Sequence, residues 1–169
     1  MKQKHAGDVV KGAVAGLVGG IVGSFVMSQF QALVNTLAEA EEKQKSKKKT
    51  EEPATVKAAQ EISEGVLGHK LTAREKGTAG EAVHYAMGAS SGLIYGVAAE
   101  IEPLTTVGAG MPFGTAVWLI ADDVAVPALG LSKSPTAYPL TTHAYAISSH
   151  LVYGLTTEVT RRAVRRFLG

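Results

Sequence analysis

The chain has 169 residues, the length of one domain, with 46% hydrophobic and 19% charged residues, a net charge of +2 and no cysteine. This composition excludes disulfides, thiolate chemistry and Cys-based metal sites, and the small, scattered positive excess excludes a nucleic-acid footprint. The charges are segregated: of 32 Asp, Glu, Lys and Arg residues, 18 fall in residues 39–81, none in residues 12–38, and five in residues 82–157, four of those acidic.

A water-soluble domain must keep polar groups on most of its elements. A charge in bilayer hydrocarbon instead costs about 2.5–3.5 kcal/mol even on lenient insertion scales. The charge-poor stretches therefore read as membrane spans, against the competing reading of a soluble Gly- and Ala-rich core. The expected architecture is all-α, an integral membrane bundle of about four transmembrane helices.

In chain order, residues 1–11 form a basic arm carrying Lys2, Lys4 and Lys11, and residues 12–38 the first span. A stretch of this length reaches about 40 Å as a helix, more than the roughly 30 Å hydrocarbon core. It is also too long for the apolar region of a cleaved signal, so it is expected to be retained. Gly12, Gly16 and Gly20 recur every four residues, and Gly19 and Gly23 repeat the spacing beside them. Such small-xxx-small faces let a second helix approach closely.

Residues 39–80 form a charged loop. Its 39–49 run is a solvated extension, and Val56, Ala59, Ile62 and Val66 give an amphipathic stripe between Pro53 and Gly68. That short helix lies at the interface or folds back on the bundle. Thr72-Ala73-Arg74-Glu75 has capping-box spacing and marks a helix start. The second span, residues 81–100, carries Gly88, Gly92 and Gly96 on one face.

A third span is expected over residues 105–121, followed by an acidic and apolar connection, residues 122–135, in which Asp122 and Asp123 end the helix. The fourth span is residues 138–157, and residues 158–169 form a basic tail. The pattern S-x-L-[I/V]-Y-G-x-x-x-E occurs at Ser91–Glu100 and again at Ser149–Glu158. It suggests a parallel repeat of two helical hairpins, with Gly154 in the place of Gly96. Homo-oligomerisation through glycine faces is a further expectation. The Lys and Arg residues divide seven to ten between the two sides, and the short acidic loop suits termini on the cytoplasmic side.

Ionisable residues at membrane depth are functional candidates because each needs a partner or water. They are His84, Asp122, Asp123, His143 and His150, with Glu100 and Glu158 at the interfaces. His143 and His150 lie two helical turns apart on one face, within reach of an aspartate on the third span. A His–carboxylate set in a wet crevice would titrate near neutral pH or bind a cation. The plainer alternative has Asp122-Asp123 capping a helix end and each histidine bonded to a carbonyl. No metal-ligand spacing, nucleotide loop or nucleophile motif occurs, so neither a metal, a cofactor nor an enzyme activity is expected.

At His84-Tyr85-Ala86-Met87-Gly88, with Gly92 and Tyr95-Gly96, the chain resembles the YagU-like family of uncharacterised bacterial inner-membrane proteins. Gly114–Trp118, Asp122-Asp123 with Pro127 and Gly130, and His150–Gly154 extend the resemblance from about Pro53 onward. It implies a multi-pass protein of the bacterial plasma membrane with no established activity. The expected role is therefore a non-enzymatic membrane protein, structural or stress-related, whose partner is the lipid bilayer and not nucleic acid. The alternative is a proton, ion or metal-cation permeation protein using the intramembrane Asp and His residues.

Overall fold

The computed structural model describes residues 6–42 and 52–169, and among these the regular elements are all helical. The start of the basic arm and most of the lysine-rich run lie outside the described residues. Helix α1 spans Ala6–Glu42, α2 Ala54–Ile62 and α3 Ala73–Ile101. Helix α4 (Met111–Val117) continues through a π-helical stretch (Trp118–Ala125) into a last turn, α5 (Val126–Ala128), and α6 spans Leu140–Leu168.

Local chemistry sets most boundaries. Pro53 precedes α2, and Gly68, at φ 63°, closes the π turn Ser63–Leu67 that ends it. Helix α2 folds back on α3, where Val56 meets Gly80 and Ala59 is buried. Thr72 opens α3, its backbone N–H donating to the Glu75 carboxylate at 2.8 Å and its hydroxyl at 2.7 Å.

The third span differs most from its sequence reading. Residues Pro103–Thr106 form a 3-10 turn, and Gly108, Ala109 and Gly110 all have positive φ, so the helix starts at Met111 rather than near Thr105. A right-handed helix cannot pass through three left-handed residues. Nor does it stop at Asp122. The helix runs on through Asp122-Asp123 to Ala128, and Gly130 at φ 72° follows. Helix α6 likewise continues through the expected tail, so residues 158–168 are its last three turns.

The bundle is assembled by backbone contact. Gly12, Gly16 and Gly20 of α1 lie against Gly96, Gly92 and Gly88 of α3, running antiparallel. A Cβ at Gly16 would sit 2.7 Å from the Gly96 Cα, and one at Gly92 the same distance from the Gly20 Cα. The second glycine row of α1 serves α6: a Cβ at Gly19 would lie 2.6 Å from the Thr157 carbonyl, and Gly23 abuts Tyr153 and Thr157. Gly110 and Gly114 make the corresponding contact with Gly154. Hence α1 and α4 run one way, α3 and α6 the other.

The sequence echo maps onto this geometry. Gly12 faces Gly96 and Glu100 as Gly110 faces Gly154 and Glu158, and Gly16 faces Gly92 and Gly96 as Gly114 faces His150 and Gly154. The correspondence ends one turn further on. By the same count Gly20 is matched by Trp118, Gly92 by His150 and Ser24 by Asp122. Hairpin one keeps its glycine track, whereas hairpin two fills it with large side chains and splays open.

Two predictions follow from these contacts. Gly92→Leu and Gly154→Leu each force apart backbones with no room to yield, so each lowers stability by about 2–3 kcal/mol or more, whereas Gly77→Leu, facing open space, leaves it unchanged. Thermal unfolding of the purified chain in detergent checks this. The Thr72 hydrogen bonds hold the Glu75 carboxyl down from 4.5 to about 2. This cap therefore stabilises the start of α3 fully above the ordinary carboxylate range and is lost as pH falls from about 4.5 towards 2. Amide exchange at residues 72–76 should show that pH dependence, and Glu75→Gln should abolish it.

Candidate functional site

Where hairpin two splays, a half-open crevice of about 1000 Å³ lies between α1, α2, α3, the composite helix 111–128 and α6. Ser24, His84, Met87, Asp122, His150 and Tyr153 line it. The π-helical stretch brings Asp122 to this position. In an α-helix the Pro127 ring would strike the carbonyl four residues back, at Asp123, and Pro127 has no N–H to offer the preceding turn. The π register relieves the clash, with the Val126 N–H reaching back to the Ala121 carbonyl. Both aspartates then face α6 rather than ending the helix.

The structure brings the predicted Asp and His residues together in pairs. Asp122 Oδ2 lies 3.8 Å from His150 Nδ1, and Asp123 Oδ1 lies 3.9 Å from His143 Nδ1. Both separations exceed a hydrogen bond. The histidines are held by backbone instead: His150 Nδ1 donates to the Ala146 carbonyl at 2.9 Å and His143 Nε2 to the Pro135 carbonyl at 3.0 Å. Each ring is thus bonded to a carbonyl and lies beside a carboxylate. Trp118 stands edge-on to His143 at 6.3 Å. Across the crevice His84 Nε2 donates to the Ser24 carbonyl at 3.4 Å, within electrostatic reach of Asp122.

Exposure separates the pairs. The Asp122 side chain is 44% exposed, into the crevice, while Asp123 is 21% exposed and does not line it. Ser24 is fully buried, and its hydroxyl has no hydrogen-bond partner among the described residues. Tyr153 closes the floor by donating its hydroxyl to the Gly88 carbonyl at 2.7 Å. Among the described residues no three His, Asp or Glu side chains gather closely enough to hold a metal ion.

A second charged cluster, unforeseen from the sequence, lies at the other end of the bundle. Glu158 is completely buried and is gripped by Arg161, with Nε to Oε2 at 2.6 Å and Nη2 to Oε1 at 3.0 Å, and by Arg162. Arg165 joins Glu100 of α3 and Asp8 of α1, both at 2.9 Å. Arg161 also lies over the Tyr95 ring, which stacks on Phe113 of α4 at 4.2 Å. This clasp ties the ends of α1, α3 and α6. Read singly, Glu100 and Glu158 are interfacial acids and the arginines a stop flank. The spacing of Glu158 to Arg161 and Arg162, three and four residues, was the available signal.

A family model described as "Protein of unknown function (DUF1440)" matches residues 43–159, more than two thirds of the chain. The chain belongs to the DUF1440 family. Comparison with curated proteins and with solved structures gives no match. The DUF1440 match includes every residue of both Asp–His pairs and His84, and both copies of the Y-G-x-x-x-E echo. It begins after α1 and ends before Arg161, so the helix carrying both glycine rows and the arginines of the clasp lie outside it.

Removing one member of a buried ion pair strands the other without solvent. Glu158→Gln and Arg161→Met should each cost about 3–5 kcal/mol, and the double variant Glu158→Met with Arg161→Met should recover part of the loss. Unfolding midpoints of the three variants check this.

Proposed function

We propose that this DUF1440 protein is a non-enzymatic, multi-pass membrane protein whose four long helices cross the bilayer, and that its crevice admits protons or other cations to Asp122. The membrane part of the reading rests on an inverted core. Among the described residues the buried apolar side chains are six, Ala15, Met27, Ala59, Tyr95, Ala99 and Tyr153, against seven buried polar or charged ones. Meanwhile twenty-five large apolar side chains are exposed, including Ile21, Phe25, Ile94, Ile120 and Leu155. In water so much exposed apolar surface would associate, whereas hydrocarbon solvates it.

By length and hydropathy α1 alone qualifies as a span, over Ala6–Ala38. The reading extends to α3 and α6 because residues 82–99 and 140–157 carry no charge and each reach about 27 Å. The composite helix 111–128 has the same length and turns its two charges towards α6. His150 lies about 12 Å along α6 from Glu158, which puts the clasp at headgroup level and the crevice near mid-depth. The bacterial inner-membrane location implied by the YagU-like resemblance belongs to this reading.

The Asp122 carboxylate and two histidines, His84 and His150, around one crevice favour cation handling over a purely structural role, because an ionisable group at that depth persists where it is used or paired. Homo-oligomerisation is no longer suggested by the glycines that form the helix contacts, since each faces a helix of its own chain. An oligomer would use the outer apolar faces.

The test is single Cys replacement of Asp122, Asp123, His143, His150 and the outer-face Ile120 in this Cys-free chain, probed in membranes with a water-soluble thiol reagent. Reaction at residues 122 and 150 with inertness at 120 is expected. Inertness at all positions would leave a dry structural bundle. Reaction at residue 120 as well would place that surface in water and end the membrane reading.

A further inference from the structure

We infer that the crevice is a binding site for an amphipathic organic cation: one positive charge on an apolar body of drug-like size. The inference rests on the cation-handling reading above and names its ligand class. A volume of about 1000 Å³ is at the upper end of small-molecule sites and far larger than a proton or a bare monovalent ion needs. Its walls are mainly apolar, with Met27, Met87 and Val117 beside Tyr145 and Tyr153. Among the described residues its Asp, Glu, Lys and Arg lining side chains are Glu81 and Asp122.

That charge pattern sets the sign of the ligand. A phosphate or carboxylate headgroup would find no Lys or Arg among the described lining residues, whereas a quaternary or protonated amine finds the partly exposed Asp122 carboxylate. His84 and His150 stand on either side of Asp122, each already bonded to a backbone carbonyl. The count that equates Ser24 with Asp122 puts these two groups at matching places in the two hairpins, Ser24 packed against Gly88 in the closed seam and Asp122 open to the crevice.

The test uses the full chain in nanodiscs with tetraphenylphosphonium as the probe, followed by equilibrium dialysis and by the emission of Trp118, the single tryptophan. Saturable binding is expected, weakened about tenfold or more in Asp122→Asn and kept in Asp123→Asn, whose carboxylate faces His143 away from the crevice. Uncharged triphenylphosphine oxide should fail to compete. Ala121→Phe, which fills the wall without touching charge, should also abolish binding and guards against misfolding of the Asp122 variant.

If residue 122 reacts with the thiol reagent yet tetraphenylphosphonium binds no better than to empty nanodiscs, this inference fails and the cation-handling reading stands. Equal binding by the neutral analogue, or full affinity in Asp122→Asn, would also overturn it. Inertness of residue 122 to the reagent would overturn both.

Discussion

Close approach of backbones through glycine is the interaction on which everything else here depends. Helix α1 carries two glycine rows one residue apart in register, one for α3 and one for α6, and so acts as the spine of the bundle. Glycine leaves little side chain to bury at these seams, so contact area with weak Cα–H···O bonds holds the helices together. Only Gly brings enough backbone into contact. The clasp of Glu158 and Arg161 with Glu100, Arg165 and Asp8 then fixes the register of three helices at one end. Without the glycine rows Arg165 would not reach Glu100 and Asp8 on the neighbouring helices.

The crevice is the complement of that packing. One turn beyond Gly16 the first hairpin places Gly20 against Gly88 and Gly92, and the helices stay in contact. One turn beyond Gly114 the second hairpin places Trp118, with His150 on the facing helix, and backbone contact gives way to side-chain contact. A glycine-for-tryptophan and a glycine-for-histidine difference at matching positions therefore turn a sealed seam into an open one. The residue that then faces the opening is a carboxylate, where the sealed seam has a serine. Packing and site chemistry are thus written in the same few positions.

Much of this was legible in the sequence, and the rest failed for identifiable reasons. The glycine rows and the Thr72–Glu75 cap were readable because their spacing alone defines a face or a helix start. The two-turn separation of His143 and His150 put both on one face of α6, but which aspartate lies beside which histidine depends on the packing of two helices and was not readable. The limits of the third helix were not readable. Residues 105–110 are small and apolar like the helix after them, and only the left-handed backbone at Gly108–Gly110 tells them apart. The continuation through Asp122 was hidden because charges near a membrane suggest a helix end, while the relevant signal was Pro127 acting on the turn before it. The clasp joins Asp8, Glu100 and Glu158, which are distant in sequence, so pairing along one helix showed only part of it.

The composite helix has a mechanical consequence. Its backbone meets α6 closely near Gly110 and Gly114, at the clasped end, while beyond them side chains alone, Asp122 by His150 and Asp123 by His143, reach across and the far end borders the crevice. Geometrically it is a lever with its fulcrum at those two glycines and an arm of about 27 Å. A tilt of roughly 5° would carry the far end about 2 Å while scarcely moving the fulcrum, given that arm length. Width at the crevice mouth and integrity of the bundle are therefore separate degrees of freedom. The spine and clasp can stay rigid while the aperture beside Asp122 changes.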